Sequence, residues 1–435
     1  MGGWKRALAA AGAAVLTASL LSGCAAGGRN TVWDDGENAA EPETYLTFFG
    51  FKYEALNVAA IENALHGYME AYPGVSISYD GIKGLDYYDV LEKRLSTGNG
   101  DDIFMVDHER VLELGARGLL ADLSGLSTLE SFSDLAKSQM AAGGAVYYVP
   151  TSISAFGLYC NLDLLAEHGQ KVPEDLEEFR EVCDAFVAEG IVPIVANNDI
   201  SLKTVAIAKA MLPTYQSADP AAAIARFNSG ETDLAETLHP GFALVEEMLQ
   251  KGWVDAGEAL ETEKTRDDLT LFAAGARPFM LTGAWAAPRL RELEPDFRFE
   301  VRPYPILEDG SVLVINVDTR ISVNAGSPHV EQAKDFVEYM TQKDVVREFV
   351  ESQASFSPLA DSGLAGDAAV QPIGPYLNNG RSVLGADDNL RLPIWDLTRQ
   401  CVVGMLEGGG AADAAAQMRA EILAWEEAEK EDSAQ

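Results

Sequence analysis

"AVYYVPTSISAFGLYCN", residues 145–161, decides how the chain is organised. It reads as two extended segments joined around Pro150, with no helical period and no room for a helix between them. A run of this kind suits a chain passing from one compact unit into another.

On its N-terminal side strands and helices alternate. "YLTFFGF" (45–51) reads as a buried strand, and Val58, Ile61, Leu65, Met69 and Tyr72 then share one helical face. "YPGVSISYD" turns into an alternating strand over 75–79, a helix covers 87–96, and "DIFMV" is a third strand. Such alternation implies a parallel sheet covered by helices. Beyond Asn161 it resumes, with helices near 162–168 and 175–189, the strand "IVPIVA", and helical stretches through most of 201–274. "FMLTGAWAAP" (279–288) is a short strand ending in a glycine and then Trp285, and further strands fall near 297–303 and 312–323. "AGSPHVEQAKDFVEYM" signals a helix with Ser327 as N-cap and Pro328 at its first position. A last helix presents Ala415, Met418, Ile422 and Trp425 on one face. With 435 residues, 47% of them apolar, two domains can each bury a core.

The net charge is −36, from 68 acidic against 32 basic side chains. Nucleic acid binding needs clustered Lys and Arg, so it is excluded as an expectation, and the charge favours a monomer. Lys5 and Arg6 precede an apolar run over 7–21, too short to span a bilayer and of secretory-signal length. The run ends in "LLSGC", which looks like a bacterial lipobox; the resemblance implies that residues 1–23 are removed and Cys24 is lipidated. Residues 24–44 then form the anchor and a small, polar, flexible leash. Cys160, Cys183 and Cys401 remain, an odd number without CxxC, and the five histidines make no ligand spacing, so neither a disulfide framework nor a metal site is expected. Cys183 shares an apolar helical face with Phe179, Val182 and Phe186, as a buried thiol would.

Together these pieces resemble the extracellular solute-binding lipoproteins of ABC importers, in particular the family 1 carbohydrate type that includes maltose-binding protein. The resemblance covers nearly the whole mature chain. It rests on the lipobox, "GNGDDIFMVDHERVLELGARGLLADLS", "YYVPTSISAFGLYCNLDLLAEHG", "LFAAGARPFMLTGAW" and "SPHVEQAKDFVEYM", in that order. It implies a type II periplasmic-binding-protein fold, in which two α/β lobes, each a mostly parallel sheet flanked by helices, are joined by three crossings. The crossings are expected near 150–154, 303–305 and 356–358. One lobe would be 45–150 plus 305–355, the other 151–304 plus 356–435. The implied function is capture of a sugar or oligosaccharide between the lobes and delivery to the permease subunits of an ABC importer. The receptor would be lipid-anchored on the extracellular face of the membrane and need no cofactor. Ligands of open parallel sheets bind beyond the carboxyl ends of strands, which agrees with a cleft between lobes.

Candidate ligand residues follow from those strand ends. Asp107, Glu109 and Arg110 come directly after the third strand; the family often places an acidic and then a basic residue at 109 and 110. A carboxylate can accept from two sugar hydroxyls, although acidic residues also suit a helix start. Lys52, Tyr53 and Glu54 end the first strand. Asn198 and Asp199 follow "IVPIV", where either could bind hydroxyls or cap the next helix. Trp285 and Trp395 offer flat apolar rings for sugar C–H faces, Trp285 at a position where the family commonly has an aromatic. Trp395 fits a core role equally well. Ser154 stands where maltose-binding protein has a glutamate, and Val106 where it has a tryptophan, departures that imply a different sugar.

An enzyme such as a secreted glycosidase would need a carboxylate pair at a set spacing, and 68 acidic residues supply pairs by chance. No GxSxG or phosphate-loop motif occurs. A receptor for a non-sugar solute such as a peptide is the other alternative.

Overall fold

The computed structural model describes residues 42–82, 86–142, 144–360 and 367–432; Cys24, its preceding apolar run and the leash lie outside them. In chain order the elements begin with β1 (Thr44–Gly50), α1 (Ala55–Ala71), β2 (Val75–Gly81), α2 (Asp86–Ser96), β3 (Ile103–Val106), α3 (His108–Ala116) and α4 (Asp134–Met140). β4 (Val149–Asn161) is buried along all 13 residues. After it come α5 (Leu162–Glu167), α6 (Leu176–Ala188), β5 (Ile194–Val195), α7 (Ser201–Tyr215), α8 (Pro220–Asn228), α9 (Leu234–Gln250), α10 (Ala256–Glu261) and α11 (Asp267–Ala273). β6 (Phe279–Gly283), α12 (Ala287–Glu292), β7 (Phe299–Arg302), β8 (Tyr304–Leu307) and β9 (Gly310–Val323) lead to α13 (Val330–Met340) and α14 (Lys343–Ser352). β10 (Ser382–Leu384), α15 (Ile394–Leu406) and α16 (Ala411–Asp432) close the described chain.

Among the described residues ten strands join in one sheet, in the order β2-β1-β3-β9-β4-β6-β5, with β7 on β4 and both β8 and β10 on β9. The outer strands pair in parallel, β1 with β2 and β3 and β5 with β6. β4 and β9 run antiparallel to each other, so the sheet is mixed at its centre. Each of the two changes neighbours part-way. β4 leaves β9 after Phe156 and continues against β6 and β7. β9 pairs with β10 through Leu313 to Ile315 and with β3 from Arg320 on. The two halves of the sheet are therefore joined through two long strands.

The passage at 150–154 lies inside β4, and 356–358 runs beside it, with Phe356 and Ile153 exchanging backbone bonds of 3.0 and 2.7 Å. Residues 303–305 separate β7 from β8, and β8 folds straight back onto β9 as a hairpin.

Helix starts explain part of the acidic composition. Asp107, Asp175, Asp219, Asp233 and Asp255 each accept the N–H of the residue three positions on, satisfying a donor the helix leaves unpaired. Ser327 is not an N-cap. It donates to Asp102 at 2.5 Å and accepts from the His329 amide, and α13 starts three residues later. Asn197 does the work expected of Asn198 or Asp199: its Oδ1 accepts the amides of Asp199 and Ile200 at 3.1 and 2.9 Å.

One hydrophobic core gathers Phe48, Tyr87, Phe104, Phe336 and Phe349 against β1 to β3; a second gathers Phe179, Phe186, Phe242, Trp253 and Phe279. Cys183 is buried beside Phe179, Val182 and Phe186 as its spacing implies, and Cys160, Cys183 and Cys401 are free thiols. α7 and α9 cross closely in the second core. A Cβ on Gly241 of α9 would lie 2.1 Å from the Ala206 carbonyl oxygen, a backbone atom that cannot swing aside. Gly241→Ala is expected to destabilise by about 1–3 kcal/mol through overpacking. A lowered melting temperature in a chemical or thermal melt checks this, and an unchanged one would show that the helices part freely.

Candidate ligand-binding site

The carboxyl end of β3 delivers Asp107, and β9 delivers Asn316 and Arg320. From the other half come Ala386, Asp387 and the start of α15, with Leu392, Pro393, Ile394, Trp395 and Asp396. These residues line a pocket of about 200 Å³ between the two halves of the sheet. Each is held by neighbours. Asp107 caps α3, accepting the Arg110 amide at 2.9 Å, and is hydrogen-bonded by Tyr88. Asn316 Oδ1 accepts the Ala386 amide at 2.8 Å, which fixes the strand end after β10 against β9. Arg320 makes bonds of 2.8 and 3.2 Å to Asp388 and lies over the Tyr148 ring, and both members of the pair are buried. Asp387 accepts from Gln139 at 3.0 Å and Tyr215 at 2.9 Å. Asp396 is exposed at the pocket rim.

Trp395 is half-buried, and three features fix its ring. Phe156 is 5.1 Å away. A Cβ on Gly385 would lie 2.5 Å from the ring, so only glycine admits it there. Lys203 places Nζ 4.0 Å from the ring centroid, within cation–π range, and 2.9 Å from Asp199. Burial pushes the Lys203 ammonium down to about 8, and the Asp199 charge offsets that only in part.

A second cluster lies where β9 passes between the halves. Ser154 on β4 donates to Asp318 Oδ2 at 2.6 Å, Lys52 reaches the same oxygen at 3.3 Å, and the Thr319 amide donates to Oδ1 at 2.6 Å. Burial works against ionising Asp318, but Lys52, the Ser154 hydroxyl and the Thr319 amide outweigh it and hold the carboxyl at about 2.

The residues singled out in the sequence divide accordingly. Asp107 and Trp395 meet in the pocket. Lys52 and Ser154 meet at Asp318 and serve the junction. Arg110 pairs with Glu113 on its own helix, and the Glu109 side chain lies outside the described residues. Glu54 accepts from Asn57 at 2.8 Å and faces Arg289, while Tyr53 is exposed. Asn198 and Asp199 are engaged elsewhere: Asn198 donates to the Leu260 carbonyl at 3.0 Å, and Asp199 is surrounded by Lys203, Lys264 and Arg399. Those cations hold its carboxyl well below the usual range despite burial. Trp285 does not line the pocket. Its ring folds back over Gly283, where a Cβ would lie 2.2 Å away, and meets Phe156 edge-on at 5.1 Å. Asn316, Asp318, Arg320 and Asp396 were missed. Three charged or amide side chains in the apolar strand "SVLVINVDTRISV" were the available signal.

The chain matches the bacterial extracellular solute-binding protein profile over residues 63–372. The multiple sugar-binding protein of Streptococcus mutans is 22% identical over 85% of this chain and 86% of its own length. A maltooligosaccharide ABC transporter solute-binding lipoprotein of Streptococcus pneumoniae is 30% identical over 40% of this chain and 39% of its own. The fold is that of solved solute-binding proteins. Apo RafE of Streptococcus pneumoniae superposes with a TM-score of 0.69 at 20% identity, over 88% of this chain and 98% of that one. A family 1 protein from Bifidobacterium longum subsp. infantis gives 0.71 at 19% identity, over 88% and 100%.

Two outcomes follow from the geometry. Gly385→Ala is expected to displace Trp395, since a methyl cannot occupy a point 2.5 Å from the ring and 2.9 Å from Asn316 Oδ1; a shifted tryptophan emission spectrum checks it. Asp318 has a folded value below the ordinary carboxylate one, so its stabilisation is present above about pH 4 and lost as pH falls from about 4 to about 2. That contribution is on the order of 2 kcal/mol. Asp318→Asn should flatten this part of the acid-unfolding profile, and a profile matching wild type would contradict the assignment.

Proposed function

The chain belongs to the bacterial extracellular solute-binding proteins, and on that basis we propose that it captures a sugar or oligosaccharide in the Trp395 pocket and delivers it to an ABC importer. The observation that carries the reading is the pairing of one half-buried tryptophan with Asp107, Asp396 and the Asn316 amide in a pocket that both halves of the sheet line. An aromatic face takes the apolar C–H side of a sugar ring, and carboxylates accept its hydroxyls. Among the described lining residues the one cation, Arg320, is already clasped by Asp388, which disfavours an acidic ligand. Trp285 packs against the same Phe156 ring and would offer a second ring face to a ligand longer than one sugar. RafE has been solved with raffinose and a Bacillus licheniformis transporter protein with stachyose, and these ligands set the class to test.

In this reading one lobe is built on residues 45–150 with the chain from Arg320 to about 355, and the other on the remainder. The receptor is anchored through Cys24, acts as a monomer and performs no chemistry on its ligand. No helix of the described residues is long and apolar enough to cross a membrane.

Thermal shift against raffinose, stachyose and maltotriose tests the proposal. A ligand at 100 times its dissociation constant adds about 2.7 kcal/mol to stability. Trp395→Ala should weaken the binding sugar roughly 10- to 150-fold, the equivalent of about 1.5–3 kcal/mol of lost apolar burial. Trp285→Ala should weaken a trisaccharide or longer more than a disaccharide. Binding indifferent to Trp395 would remove the pocket, and conversion of the sugar to product would favour a glycosidase.

A further inference from the structure

An aromatic face flanked by carboxylates, as Trp395 is by Asp107 and Asp396, attracts a quaternary ammonium as well as accepting a sugar ring. The surplus of acidic side chains, 68 against 32 basic, adds to that attraction. A single buried group opposes it. Lys203, on the first turn of α7, is 1% exposed, and its Nζ stands 4.0 Å from the centroid of the Trp395 ring. Lys203 does not line the pocket and Trp395 does, so the ammonium acts on a bound solute through the ring or past its edge.

Its neighbours leave this charge only partly neutralised. Asp199 Oδ1 accepts from Lys203 at 2.9 Å, yet the same carboxylate also pairs with Lys264, and Arg399 Nε lies 3.5 Å from it. Asp396 at the start of α15 is the other acidic group that favours the ammonium. Among the described residues three cations therefore meet two carboxylates here. Tyr304 of β8 faces Thr204, the next residue on α7, and shares a 2.8 Å hydrogen bond with it. Burial lowers the Lys203 ammonium to about 8. It is charged at neutral pH and loses its proton in mild alkali.

We propose that Lys203 is the specificity-determining residue of the Trp395 pocket, its positive charge behind the ring rejecting cationic solutes and leaving neutral ones, such as sugars, unopposed. The inference rests on that pocket being the solute site. A cation on the open face of the ring would stand on the order of 8–10 Å from Nζ, and in a partly desolvated pocket like charges repel at that range. A neutral solute meets no such cost. Selectivity of this kind needs a repulsive element beside the attractive ones, and Lys203 supplies it. An ion pair with Asp199 that served only to start α7 would leave charge preference untouched.

Choline and 3,3-dimethylbutan-1-ol share one shape and differ in charge, and choline stays charged at every pH. Their binding to the full-length protein is read from Trp395 emission, taken as the difference from Trp395→Phe. In the wild type at about pH 7 choline should bind no better than the neutral alcohol. Lys203→Met should raise the choline-to-alcohol affinity ratio roughly three- to tenfold, and Lys203→Arg should keep the wild-type ratio. Going from about pH 7 to about pH 9 should raise the wild-type ratio by a similar factor. It should leave the ratio flat in Lys203→Met, which retains Asp199, Lys264, Asp396, Arg399 and Tyr304. A wild type that prefers choline at about pH 7, or whose ratio ignores pH, would overturn the proposal. So would a ratio unchanged in Lys203→Met, or no choline signal in that variant. The raffinose, stachyose and maltotriose melts use the wild type and Trp395→Ala, so a failure of the sugar reading is seen separately.

Discussion

The antiparallel pairing of β4 with β9 is the constraint on which the rest of the molecule depends. Each strand serves two sheets of neighbours, so the halves share a backbone ladder and cannot drift apart. The ladder also fixes what faces the gap. Asn316, Asp318 and Arg320 alternate along β9, and Ser154 and Phe156 along β4, which puts hydrogen-bonding groups and an aromatic ring at the line where the halves meet. Polar groups shielded from water in such a place are costly unless satisfied, and these are: half-buried Asp318 has Ser154, Lys52 and the Thr319 amide, and buried Arg320 has Asp388.

From that line outward the site is assembled by small residues as much as large ones. Gly283 and Gly385 lack the methyl group that would collide with Trp285 and Trp395, so each tryptophan rests against backbone, and both rings meet Phe156. Lys203 and Asp199 back Trp395 on the side of α7. The consequence is a ring whose position is set before a ligand arrives, which lowers the ordering cost of binding.

Much of this was legible in the sequence, and the limits have physical causes. The alternation of strands and helices, the extended run through Pro150 and the buried Cys183 face are local patterns, and local patterns survive in one dimension. The partners of charged groups do not. Lys52 and Asp318 are 266 residues apart, and Asp102 meets Ser327 across 225. No spacing rule could connect them. Ser327 matched the N-cap signature and was instead captured by that long-range bond, while Asn197, one residue earlier than the candidates, closes the turn that leads into α7. The prolines at 303 and 305 carried a true signal of interrupted pairing whose meaning, edge strand or linker, depends on where β9 lies. Trp395 fitted a ligand platform and a core position equally well from its apolar neighbours, and the pocket became visible only with Asp107 and Asn316 brought beside it.

The most direct test of the account is a crystal structure of the protein with the sugar that gives the largest melting shift among raffinose, stachyose and maltotriose. The account requires one pyranose or furanose ring flat on Trp395, with hydroxyls on Asp107, Asp396 or the Asn316 amide. A sugar bound away from the line between β4 and β9, such as in the groove between α1 and α14, with the Trp395 pocket left to water, would contradict it.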